Sequence, residues 1–125
     1  MNIVSKITAR LQAHTALTAD VGLDNVYKYL HTKLGKESRK RANRGSQEVT
    51  WVLGSGNRGQ RMELIVGLDL KDAVTTVIYN GLAGEVSVFD EDATTALRKF
   101  KAKAKRWLST GNATPEDREA LERFI

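Results

Sequence analysis

Cysteine is absent from the chain, which excludes disulfides, thiolate nucleophiles and thiolate zinc sites together. No stretch approaches the roughly 18 consecutive apolar residues of a membrane span. The first residues, Met1-Asn2-Ile3-Val4-Ser5-Lys6, lack a basic segment followed by an apolar run, so no signal peptide is expected. Aromatic residues make up only 6%, too few for a rich stacking platform, and the single proline is Pro115. What is present is 125 residues, 41% of them hydrophobic, enough to build the core of one domain over 1–125. Aliphatic content this high with mixed charge does not fit a disordered chain. The expectation is a basic, cytoplasmic domain.

The formal net charge of +5 conceals a segregation. Residues 28–61 hold nine bases (Lys28, Lys33, Lys36, Arg39, Lys40, Arg41, Arg44, Arg58, Arg61) against Glu37 and Glu48, a local +7. Residues 98–106 hold Arg98, Lys99, Lys101, Lys103, Lys105 and Arg106 with no acid, a local +6. The remainder carries −8. Segregated charge focuses a field, whereas interspersed charge cancels within a Debye length of about 8–10 Å.

Hydrophobic periodicity predicts an amphipathic helix over 3–17, through Ile3, Val4, Ile7, Leu11 and Leu17, and a second over 23–35 ending at Gly35. Residues 36–47 contain no apolar side chain larger than Ala and read as a mobile basic loop or frayed helix end. The period then becomes two. Strands are expected over 48–53, 60–70, 73–79 and 85–89, joined by connections too short for anything but antiparallel neighbours. A third helix is expected over 92–109. A fourth opens at Thr114-Pro115-Glu116-Asp117, with Thr114 as N-cap and Pro115 at the first helical position. The expected fold is α+β: two helices, a four-stranded antiparallel meander, then two helices packed on one sheet face.

The third helix carries the most pointed signal. Its cations sit in two flanks, Arg98, Lys101 and Lys105 on one side and Lys99, Lys103 and Arg106 on the other. No acid lies between Asp92 and Glu116. Like charges three or four residues apart repel by a few tenths of a kcal/mol each, so their retention points to a polyanionic partner. Neutralisation by the acidic remainder is the competing explanation. Lys36, Arg39, Lys40, Arg41 and Arg44 form a second candidate contact, and Arg58 and Arg61 a third beside the glycine loop. That loop, Gly54-Ser55-Gly56-Asn57-Arg58-Gly59, matches G-x-G-x-x-G in form. It is followed by a strand rather than a helix, so it reads as a hairpin tip and not as a dinucleotide site. For stacking on unpaired bases, Tyr29 and Tyr79 are the candidates, since Trp51, Phe100 and Trp107 fall on apolar faces.

Catalysis has little support. His14 and His31 stand on separate predicted helices without local partners. Asp69-Leu70-Lys71 has the D-x-K form of metal-dependent nucleases, but its only upstream acids are Glu48 and Glu63. Acids at 90–92 are explained by helix capping. No catalytic residue, metal or cofactor is assigned.

The order of four meandering strands followed by a helix resembles, in topology alone, Whirly-type single-strand DNA-binding proteins. No sequence motif of that family is matched and no residue is carried over. The leading expectation is a non-enzymatic nucleic-acid-binding protein, for DNA or RNA, with weak sequence specificity and strong salt dependence. Its small, basic style would suit a phage or mobile element. The alternative is a protein-interaction module, an inhibitor or assembly factor, docking on an acidic protein surface. Its last helix, with Leu121, Phe124 and Ile125, would then serve as a homodimer or partner face. A Mg²⁺-dependent nuclease is third.

Overall fold

The computed structural model describes residues 21–125. The helix expected over 3–17, and His14 with it, lies outside the described residues. The described chain runs α1 (Val21–Leu34), β1 (Arg39–Ala42), β2 (Ser46–Ser55), β3 (Arg61–Asp69), β4 (Val74–Asn80), β5 (Glu85–Asp90), α2 (Ala93–Ser109) and α3 (Pro115–Glu122). The strands form one antiparallel sheet in sequence order, β1-β2-β3-β4-β5. The α+β class and the meander are as expected, but the sheet has five strands rather than four.

The extra strand falls in the segment read as a mobile loop. Arg39–Ala42 pairs with β2 in register Arg39↔Thr50, Lys40↔Val49, Arg41↔Glu48 and Ala42↔Gln47. Its hairpin turn is fixed by Asn43, whose Oδ1 accepts from the backbone N–H groups of Gly45 and Ser46, each at 2.9 Å. All four β1 residues are exposed, so the strand contributes nothing to a core. It is held by ladder hydrogen bonds, which need no apolar side chain, and its charges suit an edge that must not pair with other chains.

Alternation along the strands sends Val49, Trp51, Leu64, Val66, Val77, Tyr79 and Val86 to one face, where they are buried beneath the helices. α1 adds Leu23, Val26 and Leu30, and α2 adds Ala96, Phe100 and Ala104. α1 stops where expected: Gly35, at φ +82°, donates its N–H to the His31 carbonyl at 2.8 Å. Leu121 and Phe124, proposed from the sequence as a dimer face, are instead buried, and the Phe124 ring stacks on Phe100 at 5.9 Å between centroids. They close the core, because an eight-residue helix carrying so few apolar groups must bury them to be held at all.

α3 is anchored through Asp117, which is fully buried. It completes a capping box with Thr114. Its carboxylate also accepts from the Tyr79 hydroxyl at 2.6 Å and from the N–H groups of Leu82 at 2.8 Å and Ala83 at 3.0 Å, tying the helix to β4 and the β4–β5 turn. Burial alone would raise the Asp117 pKa. The hydrogen bonds from Tyr79, Leu82, Thr114 and Ala83 outweigh it and hold the carboxyl below the ordinary range.

The partner hydroxyl moves the other way. Burial, reinforced by the bond to Asp117, pushes Tyr79 above the usual tyrosine value, and Tyr27 behaves likewise against Glu37. The native state keeps both protons while the unfolded chain releases them near about pH 10, so stability must fall as pH rises past that point. Thermal melts between about pH 8 and pH 11 should show this decline, and Tyr79→Phe should make it shallower. A melting temperature flat across that range would contradict it.

Candidate functional site

α2 forms because Asp92 caps it and an apolar stripe anchors it. The Asp92 carboxylate accepts from the Thr95 N–H at 2.8 Å and the Thr95 hydroxyl at 2.6 Å. Ala93, Ala96, Leu97, Phe100, Ala104 and Leu108 are buried, which leaves the cations on the remaining circumference. Arg98, Lys99, Lys103, Lys105 and Arg106 are exposed, and Lys101 is half-buried.

The two flanks face different neighbours. Toward β5, the Lys99 ammonium lies 2.8 Å from the Asp90 carboxylate, and the Lys103 ammonium donates to the Ser87 carbonyl at 2.9 Å. The Lys99 ammonium, helped by the Asp92 N–H, holds the Asp90 carboxyl below the usual range. Arg98, Lys99, Ala102, Lys103 and Arg106 line an open groove of about 460 Å³ whose other wall is Ser87 and Val88. On the opposite flank, Lys101 places its ammonium 3.8 Å above the Tyr29 ring, a cation–π contact. Lys105 borders a second shallow groove with Leu108, Arg118, Glu122 and Ile125.

Among the described residues, Lys99 is the one cation of these six with a carboxylate within 4.0 Å. Several acids elsewhere are committed to other tasks. Asp117 staples α3, Asp92 caps α2, Glu37 accepts from the Tyr27 hydroxyl, and Glu63 and Asp24 pair with Arg39 and Lys28. Apart from Asp90, no described acid lies within 4.0 Å of an α2 cation.

The other predicted basic residues are not brought to this groove. Arg39, Lys40 and Arg41 lie on β1, at the far edge of the sheet from β5. Four interstrand spacings, about 19 Å, separate those edges. Arg39 is also paired with Glu63 at 2.7 Å. Arg44 sits in the β1–β2 turn at one end of the sheet, and Arg58 and Arg61 sit around the β2–β3 turn at the other. Lys36 is exposed in the connection after α1. The basic residues thus form separate patches, of which α2 is the densest.

The stacking candidates need correction. Tyr79 is fully buried and hydrogen-bonded to Asp117, because its position is in phase with Val77 on the helix-covered face. The Tyr29 hydroxyl donates to the Phe124 carbonyl and Lys101 covers its ring, so it too is engaged within the fold. The exposed aromatic is Phe89, 62% accessible, on the sheet face away from the helices. The signal for it was available: in β5 Val86 and Val88 share one parity, and Phe89 has the other.

The D-x-K segment builds a turn. Asp69 Oδ1 accepts from the Lys71 N–H at 2.9 Å and the Asp72 N–H at 3.3 Å. No group of three or more His, Asp or Glu converges to hold a metal ion among the described residues. The glycine segment is a hairpin, closed by the Gly56 N–H on the Gln60 carbonyl at 2.7 Å. No described helix is long and apolar enough to cross a membrane. Comparison with protein-family models, with curated proteins and with solved structures finds no match to this chain.

Proposed function

We propose that the chain is a non-enzymatic nucleic-acid-binding protein that grips the phosphate backbone along α2, with little sequence preference. The observation that carries this reading is how few acids meet the helix: Arg98, Lys101, Lys103, Lys105 and Arg106 have no carboxylate within 4.0 Å among the described residues. Repulsion along one helix is retained although acids are abundant elsewhere in the chain. The groove beside β5 gathers Arg98, Lys99, Lys103 and Arg106 on one side, so about four phosphates can be contacted at once. The β1 and β2–β3 arginines are not needed for this grip.

Binding by cations to phosphates releases condensed counterions. For about four contacts, the logarithm of the binding constant should fall with the logarithm of salt at a slope of about −3, or about 60-fold between roughly 50 and 200 mM. Fluorescence anisotropy with a labelled oligonucleotide measures this directly. No binding at the low-salt end, or affinity insensitive to salt, would overturn the reading and favour docking on an acidic protein surface.

A further inference from the structure

We infer that the preferred ligand is single-stranded nucleic acid lying along the outer edge of β5, with one base stacked on Phe89 and its phosphates on the α2 cations. The inference rests on the reading of α2 given above and adds to it the strandedness of the ligand. Phe89 is the exposed large hydrophobic residue among those described. It stands between the two points on β5 where α2 lysines touch down: Ser87, whose carbonyl receives Lys103, and Asp90, whose carboxylate receives Lys99. At about 3.3 Å per residue, Ser87 to Asp90 spans about 10 Å; because the Phe89 ring projects to the sheet face away from α2, a ligand that reaches both the ring and the two ammonium groups passes over the outer edge of β5.

Two features of the sheet keep that ring available. β5 is the last strand in the order, so among the described residues no strand covers its outer edge. Across the sheet the partners of Phe89 are Thr76 and then Gly67, which offer little side-chain bulk to cover the ring. A base in a duplex is paired and stacked and cannot lie on Phe89, whereas an unpaired base can, because every base has a π-face. Phosphates of either form can reach the cations. The aromatic ring therefore separates single strands from duplexes, and the cations do not.

The test compares a labelled oligothymidine of about 12 nucleotides with a duplex of similar length, by anisotropy at one salt concentration. The wild-type chain should bind the single strand at least about tenfold more tightly. Phe89→Ala should lower single-strand affinity about tenfold and leave duplex affinity within about twofold, while Phe89→Trp should retain the preference. Phe89 packs little within the fold, so unchanged melting of Phe89→Ala serves as the control for folding. Equal affinity for both ligands, or an equal loss on both in Phe89→Ala, overturns the inference and leaves the α2 reading standing. No binding of either ligand removes both.

Discussion

Replacing Asp117 with Ala is expected to lower the unfolding free energy by about 3–5 kcal/mol, a large share of the 5–15 kcal/mol typical of a domain. The side chain is fully buried and accepts from five donors: the Tyr79 hydroxyl, the Leu82 and Ala83 N–H groups, and the Thr114 hydroxyl and N–H. Truncation leaves the buried Tyr79 hydroxyl without an acceptor, at a cost of about 1–3 kcal/mol, and removes the partner of the half-buried Leu82 and Thr114 groups and of the more exposed Ala83 N–H. The helix start loses its capping box in the same step. Gly81 is what admits the carboxylate in the wild-type chain, because a Cβ there would stand 2.3 Å from Asp117 Oδ1. Asp117→Asn should fall between wild type and Asp117→Ala, since one of its two acceptor oxygens becomes a donor. Urea unfolding followed by tryptophan fluorescence measures both variants. A loss below about 1 kcal/mol for Asp117→Ala would show that the carboxylate is not what joins α3 to the sheet.

The same residue shows what could and could not be read from the chain. Thr114-Pro115-Glu116-Asp117 announces a capped helix, and the structure has one at Pro115–Glu122. That Asp117 also reaches across to Tyr79, 38 residues away in sequence, is a tertiary fact with no local signature. Strands β2 to β5 were legible because each buries one face, and burial imposes a period of two. β1 was not legible, because an edge strand whose side chains are all exposed has no hydrophobic pattern and is defined by its ladder with β2. The helical period separates Lys99 and Lys103, which face β5, from Lys101, which faces Tyr29, but Arg98, expected on the Lys101 flank, lines the β5 groove with Lys99, Lys103 and Arg106. Which of them meet an acid depends on contacts between distant segments, so net charge by segment could not supply it. A tyrosine at a strand end looks exposed in sequence, yet Tyr79 is buried, while the parity of Phe89 marks it as outward-facing.

Reversing charge in the α2 groove should produce the largest change in binding. Arg98→Glu, Lys103→Glu and Arg106→Glu together remove three phosphate contacts and place three carboxylates in their stead. Near 0.1 M salt each lost contact weakens binding by close to tenfold, so the combined loss is expected to be at least about 100-fold, with a salt slope reduced by about 2. The three side chains are exposed, so the fold should tolerate the change. Lys40→Glu, Arg41→Glu and Arg44→Glu alter net charge equally at the opposite side of the sheet, about 19 Å away and beyond a Debye length of about 10 Å. These side chains are exposed as well, and their replacement should cost less than about fivefold. The dissociation constant of a labelled single strand for these two triple variants, measured side by side with wild type, tests most directly that α2 is the binding face. The expected result is a loss of at least about 100-fold for the α2 variant and under about fivefold for the β1 variant. Equal losses for the two variants, or the larger loss for β1, would contradict it.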